Sequence, residues 1–170
     1  MTAVELRDIV TEDDEEAVMS LRRGPDRDRY IGRMISHFED AALYPQAFPR
    51  MWSVHDRGTG DLVGFVMISD NIAPDVLDAE PDIVGPYFLW RLLIDVHHQG
   101  KGYGKATIDA VVDYLKDRPN ADALYVSSVE GENSPMLFYL HYGFVMTDRV
   151  ADGEQVMRLD LASSRNGGPA

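Results

Sequence analysis

The chain has no cysteine among its 170 residues, so disulfides and thiolate chemistry are excluded. This absence fits a reducing cytoplasm. No apolar run approaches the roughly 20 residues of a membrane span, and the acidic start, Thr2 to Glu16, lacks the apolar core of a secretory signal. Positive charge is scarce: 16 Lys and Arg stand against 29 Asp and Glu, a net charge of −13. Such a chain repels nucleic acid, which is gripped through Lys and Arg. It would draw a small polycation into an acidic cleft, although an acidic surface also simply favours solubility. No Pro/Ser/Gly linker and no internal repeat divides the chain, and its length suits one domain with a real core. The expected domain covers residues 1–162, with a polar tail over 163–170 that frays.

Gln99-Gly100-Lys101-Gly102-Tyr103-Gly104-Lys105 is the most informative stretch. It lies between a strand-like run, Tyr87 to Val96, and a helix-like run, Ala106 to Lys116. Alternating glycines let the backbone curl, because glycine tolerates positive φ. A curl that opens a helix aims several N–H groups and the positive helix end at one spot, which suits a phosphate. A P-loop is excluded, because Lys105 is followed by Ala106 and no glycine pair has the required spacing. A dinucleotide fingerprint begun at Gly100 would need its third glycine at Lys105. An unliganded glycine-rich turn remains open on these residues alone.

The remaining elements follow from periodicity. Val4 to Ile9 alternates and reads as a strand. Thr11 and Asp14 form a capping-box-like pair that opens a helix with Ala17, Val18 and Leu21 on one face. Gly24-Pro25 ends it, and a second helix is expected from about Asp28 to Leu43, with Tyr30, Ile31, Met34, Ile35 and Phe38 apolar. Met51 to Asp56 and Leu62 to Ser69 read as a hairpin around Gly58 and Gly60. Asn71 to Gly85, with its prolines and acids, reads as a loop. Tyr87 to Val96 is nearly all apolar and therefore central. A helix from Gly102 to Lys116 turns Ile108, Val111, Val112 and Leu115 inward. Leu124 to Val129 is a strand. Ser134-Pro135 is an N-cap with proline at the first helical position of a helix ending at Gly143. Phe144 to Val150 and Gln155 to Leu161 close the chain as a hairpin.

Gln99-x-x-Gly102-x-Gly104 after a strand and before a helix resembles motif A of the GNAT (Gcn5-related N-acetyltransferase) superfamily. Phe138-Tyr139-Leu140-His141-Tyr142-Gly143-Phe144 resembles its motif B. The element order β-α-α-β-β-β-α-β-α-β-β is similar to the family's over residues 3–161. The resemblance implies an α/β (α+β) GNAT fold: a mixed, mostly antiparallel sheet of about seven strands flanked by four helices. It also implies acetyl-CoA as co-substrate and no metal. The adjacent loop residues His97 and His98 have no third ligand nearby in sequence and make a poor metal site.

In such enzymes the Gln99–Lys105 loop holds the coenzyme A pyrophosphate through backbone amides, with Lys101 and Lys105 adding charge unless they are merely exposed. Leu92-Leu93-Ile94 resembles the segment at a strand bulge whose backbone pairs with the pantetheine arm and the acetyl carbonyl. Their side chains read as core. Tyr139 would protonate the departing thiolate: a phenol of pKa about 10 holds its proton until a thiolate of pKa about 8.5 forms. A purely packing Tyr139 is the plainer reading. The asparagine found seven residues before this tyrosine in many members is replaced here by Glu132, leaving Asn133 or Ser134 to take over.

Leu89-Trp90-Arg91 with Ile94-Asp95 resembles bacterial diamine and spermidine/spermine acetyltransferases. This implies a small cationic amine as acceptor, with Trp90 able to stack on its alkylammonium chain or simply to pack. The acids such enzymes carry on the fourth strand are replaced by Trp90-Arg91. Arg91 would repel an amine unless it pairs with Asp95 or another acid. Candidates for a general base are Glu130, Asp95, His97, His98 and the acids of Glu12 to Glu16. The expectation is acetyl transfer to that amine by direct attack in a ternary complex in the cytoplasm, without nucleic acid or membrane partners; a homodimer is compatible with it. Helices 1 and 2, joined at Arg23-Gly24-Pro25, would wall the amine site. An antibiotic, an amino acid or a protein N-terminus as acceptor, or a non-catalytic acyl-CoA sensor, are the alternatives.

Overall fold

The structure, a computed structural model, describes residues 2–22 and 34–161. The expected Arg23-Gly24-Pro25 joint, the start of the second helix with Tyr30, Ile31, and the side chains of Met34 and Ile35, and the 163–170 tail lie outside the described residues.

Seven strands form one sheet: β1 (Val4–Asp8), β2 (Pro49–Asp56), β3 (Leu62–Asp70), β4 (Tyr87–Ile94), β5 (Ala123–Ser128), β6 (Val145–Ala151) and β7 (Glu154–Asp160). Their order is β1-β2-β3-β4-β5-β7-β6. All neighbours are antiparallel except β4 and β5, which run parallel. The helices are α1 (Glu12–Met19), α2 (Met34–Leu43), α3 (Pro74–Ala79), α4 (Tyr103–Leu115) and α5 (Met136–Tyr142).

The sheet is covered on both faces. Val66, Ile68, Leu89, Leu124 and Val126 pack with Ile108, Val111 and Leu115 of α4 and with Met136 and Tyr139 of α5. On the other face Phe65, Met67 and Leu93 pack with Val18 of α1 and Ala41 of α2. β3 therefore reads as a continuous apolar run, Val63 to Ile68, because both its faces are dry.

The α1 capping box forms as expected: the Thr11 hydroxyl accepts from Asp14 N–H at 3.1 Å, and the Asp14 carboxylate accepts from Thr11 N–H at 2.9 Å. The middle of the chain departs from expectation in the end of β4 and in a short extra helix. β4 ends at Ile94, because the Asp95 carboxylate accepts from His97 N–H at 2.9 Å and folds Val96–His98 into a 3-10 turn. Within the stretch expected to be a loop, Pro74 opens the short helix α3 from its first position, giving five α-helices among the described residues.

Two features of β4 position the site. Trp90 is an extra residue in the β3–β4 ladder: Leu89 faces Ile68, whereas Arg91 faces Met67. This bulge resets the alternation, so Trp90 and Arg91 both lean toward the α1/α2 face, while Leu92 packs on the α4 side and Leu93 on the other. Second, β4 and β5 pair only at Phe88–Tyr125 and Leu89–Val126. Beyond that point the parallel strands part and leave a fork in the middle of the sheet.

Candidate active site

A cleft of about 460 Å³ occupies this fork. Of the residues singled out from the sequence, the fork gathers Trp90, Leu92, Ile94, His98, Gln99, Gly100, Gly102, Tyr103, Gly104, Lys105, Asn133, Ser134 and Tyr139 along one wall system. Leu93, Lys101 and Glu130 lie outside it. The Leu93 side chain is in the opposite core, because the bulge sends it there. Glu130 is exposed beyond the end of β5. Lys101 is exposed, and its ammonium donates to the His97 carbonyl at 3.1 Å.

The glycine loop forms the mouth. Gly102 caps α4 at φ +88°, a left-handed conformation that side-chain-bearing residues adopt at a cost. This turn leaves the first N–H groups of α4, which have no intrahelical acceptor, facing outward from the helix start. At Gly104 a Cβ would meet Phe138 of α5 at 3.1 Å, so the loop lies close against the next helix. Gln99 ties the loop back to the strand by donating from its amide to the Ile94 carbonyl at 3.0 Å. Lys105 is paired with Asp109 at 2.9 Å. The positive helix end and the backbone amides fit a phosphate group, and the apolar fork behind them fits an acyl–pantetheine arm.

Deeper in, Tyr139 is nearly buried on α5, edge-on to Phe138 and Phe144 at 5.4 and 5.6 Å. α5 begins one residue later than expected: Pro135 is its N-cap, while the Ser134 hydroxyl accepts from Met136 N–H at 3.2 Å and donates to the Val129 carbonyl at 2.6 Å. Asn133 sits at φ +63°, a turn conformation asparagine tolerates.

Of the two ways to neutralise Arg91, by Asp95 or by another acid, the structure shows the second. Asp95 is buried and accepts from the N–H groups of Arg22 (2.8 Å) and His97 (2.9 Å). Burial pushes its carboxyl up, but these donors hold it below the ordinary range. Arg91 instead uses all three of its nitrogens on α2 and the bulge. Nε donates to His37 Nδ1 at 3.2 Å, one Nη to the Trp90 carbonyl at 2.8 Å, and the other pairs with Asp40 at 3.5 Å. Its guanidinium also lies over the Trp90 ring at 6.0 Å. Burial pushes the guanidinium below its ordinary value against the opposing pull of Asp40, Glu154 and Tyr139. The latter two cleft residues are thus close enough to Arg91 to be coupled to it electrostatically.

Glu154, Arg91, Ser127 and Phe138 are cleft residues that sequence reasoning did not select as site residues. Glu154 is the first residue of β7, which inserts between β5 and β6. Nothing local distinguishes it from the other acids of the closing hairpin; the strand order brings it to the fork. Among the described residues no group of three His, Cys, Asp or Glu is placed to hold a metal ion, and no helix is long and apolar enough to cross a membrane.

Comparison with known proteins agrees with this geometry. Residues 9–144 match the family described as "Acetyltransferase (GNAT) family". The chain is 30% identical over 153 residues to a probable spermine N(1)-acetyltransferase of Bacillus subtilis subsp. natto (strain BEST195), covering 89% of this chain and 95% of that one. It is 29% identical, with the same coverage, to the spermine/spermidine N(1)-acetyltransferase of Bacillus subtilis (strain 168). Among solved structures, an aminoglycoside acetyltransferase in complex with coenzyme A superposes with a TM-score of 0.72 at 16% identity, covering 98% of this chain and all of that one. A mutant form of a spermidine N-acetyltransferase from Vibrio cholerae gives 0.62 at 18% identity, covering 96% of each. The fold, the fork at β4 and β5 and these matches together identify the chain as a member of the GNAT acetyltransferase family.

Proposed function

We propose that this protein transfers the acetyl group of acetyl-CoA to a primary amine of a small cationic, polyamine-like acceptor, by direct attack in a ternary complex. The observation that carries the reading is the convergence, in one cleft, of the left-handed glycine cap of α4, the open backbone of β4 beyond Leu89, and Tyr139 of α5. The amides at Gly102 to Lys105 would hold the pyrophosphate, and the β4 backbone beside the fork would hold the pantetheine arm. Coenzyme A supplies an activated acetyl thioester and a leaving thiol. A β4 N–H aimed at the acetyl carbonyl would stabilise the developing negative charge. The Tyr139 hydroxyl would give its proton to the departing sulfur. A net charge of −13 favours a cationic acceptor, and the two curated relatives named for spermine or spermidine acetylation point the same way. Asp40 and Glu154 oppose the charge of Arg91 and so reduce its repulsion of an amine.

The test is thiol release from acetyl-CoA with spermine, spermidine, a diamine, an aminoglycoside and a free amino acid. Turnover is expected to be fastest with a polyamine. Coenzyme A binding without turnover of any amine would overturn the reading in favour of an acyl-CoA sensor.

A further inference from the structure

The amine that attacks a thioester must first lose a proton, because an alkylammonium of pKa about 10.4 is almost wholly protonated at neutral pH. We propose that Glu154 is the catalytic residue that takes this proton, a role that rests on the acetyl-transfer reading above.

Among the described residues lining the cleft, Glu154 is the one carboxylate. The acids nearest to it in function are committed elsewhere: Asp40 to Arg91, and Asp95 to two backbone N–H groups. His98, the imidazole among the described cleft residues, packs edge-on against Tyr103 of the glycine loop, at 5.8 Å. It belongs to the phosphate end.

Topology brings Glu154 here. β7 lies against β5, with Gln155 opposite Ser128 and Val156 opposite Ser127. Ser127 is the first residue of β5 beyond its last pair with β4, and the Ser127 hydroxyl lies 3.5 Å from Glu154 Oε2. The carboxylate thus reaches past β5 into the fork. The groups that act on its charge are Arg91 from β4, Ser127 from β5 and Asp152 from the adjoining turn, and Tyr139 of α5 acts on the same Arg91.

This setting suits a base. Burial pushes the Glu154 carboxyl above its ordinary value, and Asp152 adds to the rise; Arg91 and Ser127 hold it back. A carboxylate raised in this way is a stronger proton acceptor than a solvated one. In the balanced step, one N–H bond of the ammonium breaks and its proton moves to Glu154. The freed electron pair forms the N–C bond as the C–S bond breaks. The sulfur takes the Tyr139 proton, and the second nitrogen proton restores Tyr139. Glu154 passes its proton to solvent, so the reaction yields acetylated amine, free thiol and one proton.

The test compares wild type, E154Q and E154D with spermidine, reading kcat, both KM values, the pH profile of kcat/KM, and coenzyme A affinity by calorimetry. E154Q is expected to lower kcat at pH 7 by about 100-fold or more, with coenzyme A affinity within about twofold. Its deficit should shrink as pH approaches the amine's own pKa. Wild-type kcat/KM should rise with pH through a group titrating above the ordinary carboxylate range, and E154D should move that limb. The proposal is overturned by an E154Q kcat within about threefold of wild type across the pH range, or by a loss confined to the amine KM. Should E154Q lose coenzyme A binding through misfolding, the E154D profile decides: a moved acidic limb supports the base, an unmoved limb overturns it. A wild-type protein that turns over no amine sinks the parent reading and this role with it. Wild-type turnover with an indifferent E154Q sinks this role alone.

Discussion

The Tyr142 hydroxyl donates to Asp109 at 2.7 Å, and this bond fastens α5 to α4. The helix that carries Tyr139 is thereby tied to the helix that carries the glycine loop, with Lys105 completing the group on Asp109 at 2.9 Å. Burial, then the Asp109 hydrogen bond, pushes the Tyr142 phenol well above its ordinary value. Tyr142→Phe removes the bond. A hydrogen bond to a charged group contributes about 1.5–3 kcal/mol when dry, but the Asp109 side chain is 50% exposed and resolvates on its loss. The expected destabilisation is about 1 kcal/mol, or a fall of about 2–4 °C in Tm for a chain of this size. The sign with pH follows from the raised phenol: the contribution is fully present below the unfolded tyrosine value near 10 and is lost as pH rises beyond it. Denaturant melts of both proteins from pH 6 to 11 check this. A wild-type advantage that persists undiminished at the top of that range would show that the bond does not supply it.

Tyr139→Phe removes only the hydroxyl of a nearly buried ring that packs between Phe138 and Phe144. Because the ring contacts survive, coenzyme A affinity and Tm should stay close to wild type. If the hydroxyl protonates the leaving thiolate, kcat should fall by about 100-fold. Steady-state rates beside calorimetric titration of coenzyme A separate the two. Equal turnover in the variant would reduce Tyr139 to a packing residue.

Gly102→Ala forces an alanine into φ +88° at the cap of α4. The left-handed conformation costs an alanine roughly 1–2 kcal/mol, and its Cβ would also touch the Thr2 hydroxyl at 3.4 Å. If the loop holds the pyrophosphate, relief of this strain turns its N–H groups off the phosphate. The coenzyme A Kd should therefore weaken about 10-fold while kcat at saturating acetyl-CoA changes little. Calorimetry with coenzyme A reads this directly, and an unchanged Kd would detach the loop from phosphate binding.

These elements differ in how openly the sequence announces them. The glycine loop and the Tyr139 helix are local signals: spacing and caps within a dozen residues define them, and the structure brings both to one cleft. The Thr11–Asp14 capping box is equally local and forms as read. Glu154 and the partner of Arg91 are not local. One depends on β7 inserting beside β5 rather than following β6 at the sheet edge, and the other on a single extra residue at Trp90 that turns Arg91 toward α2. A bulge leaves no periodic trace in an apolar run, so Leu93 and Arg91 could not be assigned to their faces from the sequence. Pro74 marked a helix start that the prolines and acids around it disguised as loop.

Asp40→Asn tests the Arg91 arrangement. Asp40 and Arg91 meet at 3.5 Å with side chains 34% and 31% exposed, so the pair contributes at most about 1 kcal/mol to stability, and Tm should barely move. The effect should fall on the acceptor instead. With Asp40 neutralised, the guanidinium beside Trp90 repels a cation entering the cleft with one fewer acid to oppose it. The amine KM should rise by roughly 3–10-fold, an amount of the order expected for one partly screened charge, while the acetyl-CoA KM holds. The rise should shrink with added salt, because screening weakens partly exposed charges. Arg91→Met should act in the opposite direction on amine affinity while loosening the bulge that the Trp90 carbonyl bond holds at 2.8 Å. Initial-rate measurements of both variants over a range of spermidine and salt check the pair of signs. Movement of both KM values in the same direction would mean that Arg91 acts on the amine by shaping the bulge and not by its charge.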